Sequence, residues 1–159
     1  MSLQDDLLKK INRVRVIKRE ISIPAKYRSI YRIAQIALIL NINGRSNTCS
    51  LKKINIIISA IDDDKQENDL LNFLDSKLNN PLIVRYDPAI NRALTLAYAE
   101  GIVSVNKNGA FKLTDKGITL VNEIKEGNQY FIEDILKLNR IGKRLSENII
   151  AESIKNRGI

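Results

Sequence analysis

The sequence predicts a mainly α-helical protein that carries one small β-hairpin. Residues 88–100 have the apolar spacing of an amphipathic helix, and two β-prone runs follow on either side of Asn108-Gly109. Another capped helix begins after Thr114. Because Asn-Gly is the strongest short hairpin signal, we expect residues 87–124 to fold as helix, hairpin and helix.

The helix predicted over residues 88–100 has clear start and stop signals. Asp87 is a natural N-cap, and Pro88 suits the first turn, where its missing N–H is not needed. Gly101 can adopt the left-handed conformation just past the helix end. The apolar positions recur at spacings of three and four and are Ala89, Ile90, Ala93, Leu94, Leu96 and Ala97. The polar side chains left for the outer surface are Asn91, Arg92, Thr95 and Tyr98.

The hairpin is predicted from residues 102–105 and 110–113, with residues 106–109 as its turn. Thr114 can cap the next helix, in which Leu113 and Ile118 occupy the positions of a hydrophobic staple. The apolar face of that helix continues through Leu120, Val121 and Ile124.

The stretch LAYAEGIVSVNKNGAFKLTDKGITLVNEI resembles the recognition helix, wing and following helix of winged helix-turn-helix proteins. The shared features are a small-residue helix ending in Glu-Gly, an apolar strand, an Asn-Gly turn and the pattern Leu-Thr-x-x-Gly. The resemblance implies a winged helix-turn-helix with extra N- and C-terminal helices, divided into residues 1–25, 26–126 and 127–159. Winged helices serve both as DNA readers and as protein-docking modules, so two classes of function follow from it.

The chain before the hairpin unit is predicted from its apolar spacing. Residues 2–21 indicate a basic amphipathic helix, although residues 13–16 also alternate as a strand would. Residues 21–27 read as an extended connector because Pro24 restricts the residue before it. Residues 29–42 are apolar on nearly all sides, which indicates a buried central helix.

Two further helices and a strand are expected between the central helix and residue 87. Ser50 can cap a helix that runs to Ile61, and another helix is predicted over residues 66–78. Residues 82–86 are β-prone, and we expect them to join the hairpin as its third strand.

A long C-terminal helix is predicted over residues 129–156. Its apolar residues stand near heptad spacing and form a stripe wider than one helix can hide by itself. The stripe either folds back on the N-terminal helix or forms a seam with a second copy or a partner subunit. The candidate interface residues are Phe131, Ile135, Leu138, Leu145 and Ile149.

The net charge of +8 is distributed unevenly along the chain. Residues 1–60 contain twelve Lys and Arg against three acids, whereas the remaining residues sum to −1. Such asymmetry points either to an acidic partner, with nucleic acid first among candidates, or to a merely solubilising basic surface. The candidate DNA-binding residues are Lys9, Lys10, Arg13, Arg15, Arg45, Lys52, Lys53, Asn91, Arg92, Lys107 and Lys112.

The residue types present disfavour catalysis. The chain has no His, its single cysteine, Cys49, has no base to activate it, and no Gly-rich phosphate loop occurs. Asp62, Asp63 and Asp64 lack the alternating spacing of a calcium loop. We therefore expect no enzyme activity, no cofactor, no metal and no small-molecule substrate. The absence of a signal peptide and of any long apolar run predicts a soluble cytoplasmic protein without a membrane partner.

A second resemblance covers residues 26–123. The stretches KYRSIYRIAQIALIL, SLKKINIIISAI, PLIVRYDPAINRALTLAYAEGIVSV and FKLTDKG are similar to the middle components of bacterial three-component systems built around an ABC or SMC-type ATPase. Those systems are associated with defence against phage and plasmids. The resemblance implies a non-catalytic adaptor that docks on the ATPase and adds nonspecific affinity for the backbone of double-stranded DNA.

The alternative is a transcription regulator that dimerises through its terminal helices and reads an operator. In a regulator, Asn91, Arg92 and Thr95 should be exposed beside Lys107 in one basic face. In an adaptor, that face should be neutral or covered.

Overall fold

A computed structural model describes residues 28–76, 82–127 and 129–155. These residues form seven α-helices, a short 3-10 turn at Gln129–Phe131 and one three-stranded antiparallel sheet, so the predicted mainly helical fold with a small sheet is confirmed. In chain order the helices and strands are α1 (Ser29–Ile42), β1 (Thr48–Cys49), α2 (Leu51–Asp62), α3 (Asp64–Ser76), α4 (Pro88–Ala99), β2 (Val103–Val105), β3 (Phe111–Leu113), α5 (Asp115–Gly127), α6 (Ile132–Ile141) and α7 (Glu147–Lys155).

The core is built around α1, whose bounds match the prediction. Every residue from Arg32 to Leu40 is buried, as the apolar character on all sides of this segment predicts. α1 packs against α4, α5, α6 and β3, and α2 in turn packs against α3 and α6. The described helices therefore share one apolar cluster.

The hairpin is confirmed, and its sheet has the strand order β1-β3-β2. Gly109, with a φ of 85°, lies in the turn, where the Asn106 N–H donates to the Ala110 carbonyl at 2.8 Å. Thr114 caps α5 as predicted, because its hydroxyl accepts from the Gly117 N–H at 3.1 Å.

The prediction that residues 82–86 form the third strand is wrong, because residues 82–87 are not paired into the sheet. Side chains satisfy the backbone there: the Leu82 N–H donates to Ser153 Oγ at 2.8 Å, and the Asp87 N–H donates to Asn55 Oδ1 at 3.1 Å. The third strand is the two-residue β1 instead. The chain enters β1 through Ser46 and Asn47, both of which have positive φ.

The prediction of one long C-terminal helix over residues 129–156 is also wrong. α6 ends at Ile141, Gly142 takes a φ of 57°, and Ser146 caps α7 by accepting from the Ile149 N–H at 3.1 Å. The apolar spacing continues across the break because both helices bury a face in the same core.

The predicted interface stripe lies mostly inside the protein. Phe131, Leu138 and Leu145 are fully buried, while Ile135 and Ile149 are half-buried against the same core. The stripe is therefore covered by the chain's own helices and does not form an exposed seam.

The predicted helix over residues 2–21, with Lys9, Lys10, Arg13 and Arg15, lies outside the described residues. α3 begins two residues earlier than predicted, with the Asp63 carboxylate accepting from the Lys65 N–H at 2.9 Å. None of the described helices combines the length and the apolar character that crossing a membrane requires.

Candidate nucleic-acid interface

α4 presents the polar outer surface that its sequence predicts. The Asp87 side chain accepts from the Ala89 N–H at 2.9 Å, and Pro88 occupies the first turn. The inner face of the helix is buried against α1 through Ile90, Ala93, Leu94 and Ala97. The exposed residues of its outer face include Asn91, Arg92, Thr95 and Tyr98.

An apolar groove of about 350 Å³ runs between α4 and the hairpin. Tyr98 and Val105 are exposed along it, with half-buried Phe111 between α4 and the strands. The full lining is Leu51, Asn91, Leu94, Thr95, Tyr98, Val105 and Phe111.

A second depression, of about 720 Å³, adjoins the first. It lies between the turn before β1, the start of α2, the hairpin turn and α7, and its lining includes Arg45, Lys52, Tyr86 and Asn108. Leu51 lines both depressions, so they form one continuous surface. We call this surface the α4 face and include in it two exposed cations beside the depressions, namely Arg92, which adjoins Asn91 and Thr95 on α4, and Lys107, which precedes Asn108 in the hairpin turn.

Apart from Glu147 of α7, the exposed ionised side chains around the α4 face are cations. In residues 43–55 and 82–113, every exposed charged residue is a cation. The two acids of these segments are unavailable, since Glu100 is buried and the half-buried Asp87 caps α4. None of the exposed cations makes an ion pair with another described residue. They are Arg45, Lys52, Arg85, Arg92, Lys107 and Lys112.

Basic residues of the C-terminal region are neutralised by acids of α3 instead. Lys137 pairs with Asp64 at 2.7 Å and Arg140 pairs with Glu67 at 3.0 Å. The hydrogen bond from Lys137 and its charge hold the pKa of the Asp64 carboxyl below its usual value. The exposed cations of residues 43–55 and 82–113, by contrast, have no such ion pairs with described residues.

One of the predicted DNA contacts, Lys53, needs correction, and Lys112 is exposed as predicted but does not line the groove. Lys53 is only 3% exposed, because its ammonium reaches into the protein and donates to the Asn43 carbonyl at 2.8 Å. Lys112 is exposed, but strand alternation puts it on the face of the hairpin opposite Phe111 and Leu113. The α4 face thus keeps Arg45, Lys52, Asn91, Arg92 and Lys107 from the predicted set.

Two features of this surface were missed by the sequence analysis. The sequence analysis assigned Tyr86 to a strand of the sheet, and no local pattern indicated that its side chain would be exposed near Lys52. Glu147 begins α7, and its carboxylate accepts from the Ser50 N–H at 2.9 Å, at the start of α2. This acid lies within the depression and partly offsets Arg45 and Lys52 there.

A buried polar network fixes the position of α4 on the core. Arg32 of α1 is bonded to Asp62 at 2.7 Å and to Gln35 at 2.8 Å, and it lies 3.9 Å from the capping carboxylate of Asp87. Its Nε has no hydrogen-bond partner among the described residues. The network ties α1, α2 and the start of α4 together, which makes its role structural.

The single cysteine is not exposed. Cys49 is buried in β1, and burial raises the pKa of its thiol to about 12. Among the residues that the structure covers, no cluster of three or more metal-binding side chains occurs. Comparison of the chain with protein-family models, with curated proteins and with solved structures gave no match.

Proposed function

We propose that this protein is a non-catalytic winged-helix accessory subunit that binds the backbone of duplex DNA through the α4 face. The order α1, β1, α2, α4, β2, β3, with α3 inserted between α2 and α4, and the strand order β1-β3-β2 support the winged-helix assignment. In this assignment α4 is the recognition helix and residues 106–109 are the wing tip. The main support for DNA binding is the set of exposed cations around α4 without an exposed acid from the same segments.

Backbone contact is favoured over base readout by the composition of α4. Base reading requires polar groups that can hydrogen-bond to base edges. The Thr95 hydroxyl already donates to the Asn91 carbonyl at 2.9 Å, and Tyr98 and Ala99 add mainly apolar surface. Arg45, Lys52 and Lys107 lie at loop and helix-start positions suited to phosphates.

The partner surface belongs to α6. Ile132 and Leu136, one helical turn apart, are 52% and 54% exposed, which is unusual for side chains of this size. They offer a narrower docking site than the predicted stripe. We take the partner to be an ABC or SMC-type ATPase of a bacterial defence system. This part of the proposal rests only on the resemblance of residues 26–123.

The test compares two variants that lose the same charge. We expect Lys52→Gln/Arg92→Gln to weaken binding to a fluorescent duplex about tenfold or more at low salt, since each phosphate contact contributes electrostatically. The control, Lys65→Gln/Lys143→Gln, removes two exposed cations that lie outside the α4 face and should change affinity by less than about twofold. Equal losses in both variants would reduce DNA binding to a general effect of net charge and would overturn the proposal.

A dimeric transcription regulator is the alternative, and the exposure of Asn91, Arg92 and Thr95 favours it. The burial of Phe131, Leu138 and Leu145 removes the predicted dimer seam from its support. Competition between unrelated duplexes at physiological salt separates the two functions. An accessory subunit should prefer none of them, whereas a regulator should retain one short preferred sequence.

A further inference from the structure

We infer that the α4 face also takes single-stranded nucleic acid, with Tyr86 and Tyr98 as stacking platforms for bases. This inference rests on the proposed function, because the same cations would hold the strand's phosphates. It adds a ligand class that duplex binding does not require, since bases in a duplex are already stacked on one another.

The two tyrosines are exposed without a structural reason. Tyr86 is 52% and Tyr98 is 59% exposed. Among the described residues, neither tyrosine side chain makes a hydrogen bond or a ring contact, whereas Tyr31, Tyr130 and Phe131 pack ring to ring. An aromatic ring left open to solvent contributes no burial free energy until a ligand covers it.

The two rings are placed as they would be on a surface that binds single-stranded nucleic acid. Tyr86 lies in the depression that contains Arg45 and Lys52, and Tyr98 lies in the groove beside Val105. Leu51 lines both, so an apolar path connects the rings. α4 has 12 residues and is therefore about 18 Å long, so a strand must span several nucleotides to reach from one ring to the other.

Charge and chemistry favour a nucleic-acid strand over a peptide. Cations beside exposed aromatic rings provide both contacts that single strands use, namely phosphate pairing and base stacking. An acidic amphipathic peptide would also satisfy the cations and the apolar groove, but it would not need aromatic rings in particular. Retention of the aromatic ring is thus the property that separates the two ligands.

The experiment measures binding of fluorescein-labelled oligo(dT) of about 12 nucleotides, within the range of site sizes of single-strand modules. We expect Tyr86→Ala/Tyr98→Ala to weaken this binding at least about tenfold, because each stacked base contributes appreciably to affinity. The matched control Tyr86→Phe/Tyr98→Phe keeps both rings and should stay within about twofold of wild type.

A second readout uses the protein's own fluorescence. The chain contains five Tyr and no Trp, so its emission comes from tyrosine alone. Unlabelled oligo(dT) should quench this emission in wild type and much less in Tyr86→Phe/Tyr98→Phe, which binds but lacks the two reporting tyrosines. This readout does not depend on a ring-deleting variant remaining folded.

Three results would overturn the inference while leaving the proposed function in place. They are duplex binding without oligo(dT) binding, equal oligo(dT) affinity for wild type and Tyr86→Ala/Tyr98→Ala, and failure of oligo(dT) to quench wild-type tyrosine. Conversely, ring-dependent oligo(dT) binding without duplex binding would contradict the proposed function and leave the inference standing.

Discussion

At the scale of single residues, Asp134 shows how burial decides the behaviour of a charged group. Its carboxylate is buried on α6, where it accepts from the Tyr31 hydroxyl at 2.7 Å and from Gln35 Nε2 at 3.3 Å. Burial raises the pKa of this carboxyl, and the two hydrogen bonds only partly oppose the effect. The same environment raises the pKa of Tyr31, mainly because that side chain is also desolvated.

The raised pKa of Asp134 predicts a specific dependence of stability on pH. The folded state holds this proton more tightly than the unfolded state, in which an Asp carboxyl has a pKa of about 3.9. Stability from this group therefore falls as pH rises from that value through the raised folded pKa. Asp134→Asn has no such proton, so its stability relative to wild type should increase between about pH 4 and pH 7. Urea unfolding of both proteins across this pH range checks the prediction. If the free energy of unfolding of Asp134→Asn minus that of wild type stayed constant or decreased with pH, the prediction would be contradicted.

Lys53 shows what residue-level sequence analysis could not anticipate. Its position in the first turn of α2 predicts exposure, as Lys52 indeed has. The side chain of Lys53 instead turns inward to the Asn43 carbonyl, a partner that exists only after α1 and α2 have packed. Such a pairing between separate elements leaves no pattern in the local sequence.

At the scale of elements, capped helices and the hairpin were predictable because their signals are local. Asp87-Pro88 and the turn at Asn108-Gly109 fix α4 and the hairpin by short-range geometry. β1 was not predictable, since two residues carry no periodicity and their pairing with β3 depends on the chain between them. The C-terminal break was obscured because Gly142 interrupts an apolar stripe that continues on both sides.

Gly117 at the start of α5 is required by close packing. A Cβ at this position would come within 2.5 Å of Leu113 Cδ1 and would also clash with the Ile102 carbonyl. Gly117→Ala should therefore destabilise the protein by about 2 kcal/mol, even though alanine improves helix propensity by up to about 1 kcal/mol.

The control for this substitution is Asn122→Ala, at an exposed position of the same helix. It should change the free energy of unfolding by less than about 0.5 kcal/mol. Denaturant unfolding of the two variants checks the packing of α5 against the hairpin. A Gly117→Ala variant as stable as wild type would contradict that packing.

At the scale of the whole molecule, charge is divided between two regions of the described surface. Acids of α3 pair with Lys137, Arg140 and Arg144, whereas the cations of the α4 face have no such partners. The sequence indicated a basic protein with a nucleic-acid partner, but it assigned the positive charge to the first 60 residues as a linear segment. Folding brings Tyr86 and Asn108, the sequence neighbours of Arg85 and Lys107, into the depression lined by Arg45 and Lys52, which no count along the chain reveals.

The salt dependence of duplex binding tests the central claim, that the α4 face contacts DNA phosphates, most directly. The logarithm of the association constant should fall linearly with the logarithm of salt concentration, by about 0.9 for each phosphate neutralised. Lys52→Gln/Arg92→Gln should make this slope shallower by about 1.8, because two contacts are lost. A slope near zero for wild type, or an unchanged slope in the variant, would contradict the account.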